Sequence, residues 1–344
     1  MLGRLGRRTR QGNRRGAHHL RKGEQRLILV TGGAGFIGSA VVRRLLRDRH
    51  TVRVVDDLSK GYVNLESDAP VEFIKADLRD GAETDRVVEG IDVCFHLAAK
   101  IGGIKYFHDY PATILDENNL MLSSVFRAAV KHRTKIVYIS SSMVFERTSI
   151  FPSPEDAVFE SPPPVTHYGF SKLVGEYYCR AFNEEYGVRY TICRPFNAYG
   201  PGEHPEDEPG IAHVIPDLAR KVLNGDYPLE IMGSGQQQRC FTYIEDIADG
   251  IVTAGLHPKS ENDDFNIGED TPTTVEQLAH RIWELSGRSE PFQLAHTPAL
   301  EHDIQRRIPD ISKTARVLGW RPKISLDEGL RRTIDWLRTS VPAG

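Results

Sequence analysis

The sequence predicts an α/β protein, a doubly wound parallel sheet with a smaller α/β domain attached, and three observations carry that prediction. An apolar run opening at Leu27 breaks at Gly32, Gly35 and Gly38 and passes at once into a helical pattern over residues 39–47. Further strand-type runs at 51–55, 71–74, 91–97 and 135–139 alternate with helical stretches, a pace that produces parallel pairing with helices on both faces. The second of these strands ends on Asp56 and Asp57, at the carboxyl edge where such sheets bind their ligands.

The glycine turn has a specific use. A strand that ends in a tight turn and opens a helix presents bare backbone N–H groups at the positive end of the helix dipole, which suits a pyrophosphate. Gly32, Gly35 and Gly38, with Phe36 and Ile37 between them, form that cradle and give the sheet a Rossmann-type reading. Asp56 then stands where a carboxylate accepts hydrogen bonds from an adenosine ribose, with Asp57 beside it. Because it would repel a 2′-phosphate, the expected cofactor is NAD and not NADP. The third strand leads to Asp77 and Leu78, placed to face the adenine. The fourth exits through His96, Leu97, Ala98 and Ala99, small enough to lie flat under a cofactor.

A helix is expected to start near Asp116 as N-cap, with Asn118 and Asn119 in its first turn. The fifth strand ends in Ser140, Ser141 and Ser142, which alone decide nothing, since serines often form turns. Tyr168 and Lys172 decide more: four apart on a helix, they share a face. An ammonium beside a phenol, near a cationic nicotinamide, stabilises phenolate and is expected to bring the tyrosine pKa down toward working pH. A serine hydroxyl on the same substrate oxygen completes a proton path.

With 344 residues, 40% of them hydrophobic, the chain can bury one large core or two smaller ones. No apolar run is longer than a strand, so no membrane span is expected. The cysteines, Cys94, Cys179, Cys193 and Cys240, lack metal-ligand spacing and read as buried thiols of a reducing cytoplasm; no metal is expected. Residues 1–26 carry nine Arg or Lys against Glu24 alone, so the remainder is acidic, which argues against nucleic-acid binding by the folded part. Residues 1–25 read as a basic disordered tail.

Together these elements resemble the extended short-chain dehydrogenase/reductase family, in its nucleotide-sugar epimerase and dehydratase branch, over residues 26–337. The resemblance implies Tyr168 as acid/base, Lys172 as its electrostatic partner and ribose ligand, and Ser141, counted back from Val144-Phe145, as the third member. It implies Asn118 and Pro195 as further cofactor contacts. Arg194-Pro195-Phe196-Asn197-Ala198-Tyr199-Gly200 is similar to the family's crossing between domains, with Asn197 near a diphosphate. Arg239 to Asp246 resembles the returning strand, and Arg239 and Arg307 suit the diphosphate because each guanidinium pairs two oxygens. The implied division is a cofactor domain of residues 26–195 with 238–266, and a sugar-nucleotide domain of 196–237 with 267–337. A homodimer built on the Tyr168 helix and the helix after Asn118 is implied as well, with Leu173, Tyr177 and Phe182 toward the contact.

The family's shared chemistry is oxidation of a sugar hydroxyl to a keto-sugar whose fate depends on its neighbours. Dehydratases of the branch place Asp-Glu after the catalytic Ser or Thr, and decarboxylases a glutamate at the second position; here the residues are Ser142 and Met143, and a thioether relays no proton. Locally, His96 to Ile104, including Lys100, Gly102 and Gly103, resembles GDP-fucose synthases and GDP-mannose 3,5-epimerases. His213 matches an acid/base of the synthases whose cysteine partner is replaced by Met143. The reading that survives is a sugar-nucleotide C4 epimerase. Epimerisation at C3 or C5 through His213, as an epimerase or epimerase-reductase, is the runner-up. A dehydratase or decarboxylase stands behind it, and a non-catalytic NAD-binding sensor is the alternative from another class. Ser142, Met143, Lys100, Gly102, Gly103, Asn197, His213, Arg239 and Arg307 are the expected substrate contacts.

Overall fold

The computed structural model describes residues 26–60, 71–101, 109–205, 213–299 and 304–340. The basic head and Gly102 and Gly103 lie outside the described residues. Strands β1 (Leu27–Thr31), β2 (Thr51–Asp56), β3 (Val71–Lys75), β4 (Val93–His96), β5 (Lys135–Ile139), β6 (Tyr190–Pro195) and β11 (Asp263–Ile267) form one sheet in the order β11-β6-β5-β4-β1-β2-β3. Every pairing within it is parallel. The chain winds outward in opposite senses from β1 and β4, so the crevice at their carboxyl ends is the switch point where doubly wound sheets hold ligands. Alternation along β1 serves two cores: Ile28 and Val30 join the cluster on one face, Leu29 that on the other.

Helix α1 (Phe36–Arg47) starts directly after Gly35, three residues earlier than the sequence pattern suggested. Helix α2 (Gly81–Val88) is capped by Asp80, whose side chain accepts from Ala82 N and Glu83 N. Helix α3 (Pro111–His132) departs from expectation: it begins five residues before Asp116, with Pro111 at its first position and Tyr110 as N-cap. A proline there gives up an N–H that would have no partner anyway. Asn118 and Asn119 therefore sit two turns inside the helix. Helix α4 (His167–Tyr186) is capped by Thr166, whose hydroxyl accepts from Gly169 N, and ends at Gly187 in the left-handed region.

Beyond β6 the chain forms α5 (Val214–Asn224), α6 (Ile244–Leu256), α7 (Val275–Leu285) and α8 (Leu326–Ser340), with short strands between them. Strands β7 (Ala198–Tyr199) and β10 (Thr242–Tyr243) pair in parallel, and β8 (Leu229–Met232) pairs with β13 (Leu294–Thr297). Strand β9 (Gln238–Arg239) lies between β12 (Thr273–Thr274) and β14 (Arg306–Arg307). This corrects the expected returning strand: the segment from Arg239 to Asp246 builds small sheets, and β11 is the strand that rejoins the large one. The fourth strand is shorter than read from sequence, because residues 91, 92 and 97 fall outside the ladder.

Among the described residues no helix is long and apolar enough to cross a membrane, and no group of three or more His, Cys, Asp or Glu is arranged to hold a metal. All four cysteines are buried and free.

Candidate active site

A single cleft of about 1170 Å³ runs along the carboxyl edge of the sheet and over the second set of elements. That exceeds the roughly 300–1,000 Å³ of a pocket for one drug-sized ligand, so it has room for two.

One end of the cleft is built by β1, α1 and β2. Gly32 has φ +67, and a Cβ there would lie 2.7 Å from Ala98 N; only glycine lets the turn pass so close beneath the exit of β4. No side chain caps α1 and no acid stands in its first turn, so Phe36, Ile37 and Gly38 present their N–H groups to the cleft side. The Asp56 carboxylate is tied to this cradle: Oδ2 accepts from Ala34 N at 3.0 Å and Oδ1 from Leu58 N at 2.8 Å. Asp57 accepts from Ser59 N and stays exposed. Cradle, acid and flat exit through Leu97, Ala98 and Ala99 fit a dinucleotide.

Asp77 and Leu78 also line this end, with one addition that the sequence reading missed. Arg79 clasps Asp77 through Nε at 2.9 and 3.0 Å and through Nη2 at 2.7 Å, and reaches Glu117 on α3 at 3.2 Å. The arginine holds Asp77 below the usual carboxylate range. Asn118, expected as a cofactor contact, does not line the cleft. Its Oδ1 accepts from Lys100 N at 2.7 Å and its Nδ2 donates to Lys100 O and Ser171 Oγ, so it pins the segment after β4 from behind.

Ser141, Tyr168 and Lys172 sit midway. Ser141, in extended backbone at the end of β5, caps a 3-10 turn (Ser142–Phe145) and accepts from Met143 N at 3.2 Å. Its side chain faces the Tyr168 phenol and pulls that group's pKa downward. Ser140 points the other way, donating to Glu176 at 2.7 Å, and Ser142 is buried. Lys172 Nζ donates to Ile139 O at 2.9 Å and lies 5.8 Å from the centroid of the Tyr168 ring. The expected fall in the tyrosine pKa is not found in the protein's own groups. Burial pushes Tyr168 up to about 12, against smaller downward pulls from Ser141 and the Arg307 charge. Burial also brings Lys172 down to about 8. The remaining charge that stabilises phenolate has to come from what fills the cleft.

At the far end Pro195, Asn197, His213, Arg239 and Arg307 line the same cleft as Lys100, Ser142 and Met143. Asn197, at φ +38, donates through Nδ2 to Cys240 O at 3.1 Å. Arg307 Nη2 lies 2.9 Å from Met143 Sδ, and Met143 packs with Ile114, Tyr168 and Ile304 as an apolar wall. His213 Nδ1 pairs with Glu203 Oε1. The loop containing Glu203 carries no spacing that would have announced this partner ten residues away.

The model of the NAD dependent epimerase/dehydratase family matches residues 28–268. A UDP-glucose 4-epimerase of Mycolicibacterium smegmatis is 32% identical over 318 residues, covering 90% of this chain and 98% of that protein. A UDP-N-acetyl-alpha-D-glucosaminuronate decarboxylase of Bacillus cytotoxicus is 32% identical over 321 residues, covering 90% of this chain and 97% of its own. The crystal structure of a UDP-glucose 4-epimerase from Thermotoga maritima with UDP-glucose aligns with a TM-score of 0.82 and 32% identity, covering 92% of this chain and 99% of that one.

Proposed function

The chain belongs to the NAD dependent epimerase/dehydratase family, and from that membership we propose that it inverts C4 of a UDP-hexose through a transient 4-keto sugar. It is an enzyme of the nucleotide-sugar isomerase kind, and NAD is its cofactor. The glycine cradle and Asp56 hold the dinucleotide, and when bound it supplies a reversible hydride acceptor at the sugar's C4. Tyr168 takes the proton of the C4 hydroxyl and returns it, while Ser141 donates to the same oxygen and Lys172 keeps positive charge beside the phenol. Asn197, Arg239 and Arg307 take the diphosphate.

The observation that carries this reading is the apolar wall at Met143. Elimination or decarboxylation needs a proton relay next to the keto group, and Met143 offers a thioether packed among Ile114, Tyr168 and Ile304. Inversion at C4 needs no further base. The second reading, epimerisation at C3 or C5, rests on the His213–Glu203 pair in the same cleft.

Incubation with UDP-hexoses in deuterated water tests the choice. We expect interconversion of the C4 epimers with no deuterium at carbon; incorporation at C3 or C5 supports the second reading. Bound NAD without turnover of any sugar nucleotide supports a sensor.

Residues 26–195 with 238–266 are read as the cofactor domain, and 196–237 with 267–337 as the sugar-nucleotide domain. Four buried free thiols support a cytoplasmic setting. A homodimer is inferred from the apolar groove of Phe170, Leu173, Tyr177 and Phe182 on α4, where Tyr177 is 59% exposed.

A further inference from the structure

The single 3-10 turn that leaves β5 is bracketed by two residues, and both face α4 or its cap. At its N-cap stands Ser141, beside the Tyr168 phenol. At its C-cap stands Glu146, whose Oε2 accepts from Thr166 N at 2.9 Å and from Thr166 Oγ1 at 3.0 Å. Thr166 is itself the cap of α4, so turn and helix are joined by two rungs.

Glu146 is half-buried and lines the cleft together with Ser142, Met143 and Tyr168. Both bonds fall on Oε2, which fixes the carboxylate, and Oε1 makes no hydrogen bond with the described residues. Its neighbour Arg147 is turned to Pro163 O at 3.4 Å. Arg307 reaches this wall at Met143 Sδ. One carboxylate oxygen is thus held still in the cleft that Ser141, Met143 and Tyr168 also line.

We propose that Glu146 selects the sugar: its free oxygen accepts a hydrogen bond from a ring hydroxyl, and its charge rejects a sugar that carries a carboxylate. The substrate class is then a neutral hexose and not a uronic acid. The inference rests on the epimerase reading above and adds the side chain that chooses among its substrates. Like charges brought together in a partly desolvated cleft are strongly disfavoured, and specificity built this way is a matter of repulsion as much as attraction.

The test compares UDP-glucose with UDP-glucuronate on the NAD-loaded protein, wild type and Glu146→Gln, by kcat/KM for C4 inversion and by calorimetric Kd. Glutamine keeps an oxygen for both Thr166 bonds and removes the charge. Wild type is expected to favour UDP-glucose, and Glu146→Gln to raise UDP-glucuronate relative to UDP-glucose by about tenfold or more, with an unchanged unfolding midpoint. A purely structural part at the start of α4 would lower both sugars equally and leave the ratio where it was, which overturns the proposal. A wild-type preference for UDP-glucuronate, with Arg307 capturing the carboxylate, overturns it too. If neither sugar is interconverted, the Kd ratio decides: preference for UDP-glucose that glutamine erases upholds Glu146 while the epimerase reading falls.

Discussion

Replacing Gly38 with alanine tests the cradle at its tightest point. A Cβ at Gly38 would lie 2.0 Å from Gly32 O, 2.8 Å from Gly32 C and 2.9 Å from Gly33 Cα. Carbon and carbonyl oxygen in close contact stay about 3.3 Å apart or more, so the overlap exceeds ~1 Å. All three neighbours are backbone, and no rotamer change relieves them. Helix α1 must therefore retreat from the turn. Overpacking costs about 1–3 kcal/mol when surroundings can yield, and two rigid backbones put Gly38→Ala at the upper end, about 3 kcal/mol. The retreat also carries the first-turn N–H groups away from the pyrophosphate; losing one charge-assisted bond, about 1.5–3 kcal/mol, weakens NAD roughly ten- to a hundredfold. Gly35→Ala is the control. Gly35 has φ −76 and ψ 175, which any residue adopts, and its Cβ would meet only Gly32 O at 3.3 Å. Urea unfolding of both variants, with the NAD retained through purification released by acid and measured by absorbance, reads both effects. Gly38→Ala is expected to be the less stable and to lose its NAD, while Gly35→Ala keeps most of its stability. Equal behaviour of the two variants would show that the turn does not depend on close approach at Gly38.

Tyr168→Phe is expected to lower kcat by about 10²–10⁴ with NAD content unchanged, measured by epimer interconversion. Ser141→Ala removes a group that pulls the phenol pKa down, so the pH at which kcat reaches half its plateau should move upward in a pH–rate profile. For Asp264, burial raises the pKa but the charges of Arg194 and Lys313 together outweigh it, bringing it to about 2 from the ordinary 3.8. A depressed carboxylate stabilises the fold above its ordinary pKa and loses that contribution as pH falls through the folded value, here between pH 4 and 2. The stability gap between wild type and Asp264→Asn should therefore shrink by about 2 kcal/mol across that window in denaturant titrations.

What was legible in the sequence is what depends on short spacing. The glycine turn, Asp56 at the end of β2 and the Tyr168–Lys172 pair each lie within one or two local elements, and their positions follow from strand and helix periods. The start of α3 was misread because Tyr110 is a poor capping residue and Pro111, the true signal, stands ahead of the expected N-cap. Glu146 and Glu203 were missed for a different reason: each acts through a partner brought close only by the fold, Glu146 through Thr166 and Glu203 through His213, as Arg79 does with Glu117 beyond its local clasp on Asp77. The upward push on the Tyr168 pKa was not legible because burial, which outweighs Ser141 and Arg307, is a property of the packed core and not of spacing.

The helix that carries Tyr168 and Lys172 is itself held from its buried side. Tyr168, Lys172 and Glu176 recur every four residues on α4, so a face that begins in the cleft ends in the interior. There Glu176 accepts from Ser140 Oγ at 2.7 Å and from Arg194 Nε and Nη2, both at 2.7 Å. Arg194, fully buried, goes on to Asp264 on β11 at 2.7 Å and Glu155 O at 3.2 Å. Lys313 closes the network on Asp263 and Asp264. Charges this deep are stabilising only while every partner remains, since removing one leaves another unpaired at a cost of about 3–5 kcal/mol. The network therefore ties the ends of β5, β6 and β11 to one stripe of α4. Ser140 is anchored by it and Ser141 is the next residue, so the buried ion cluster, together with the Glu146–Thr166 bonds at the other end of the turn, sets the distance between Ser141 and Tyr168.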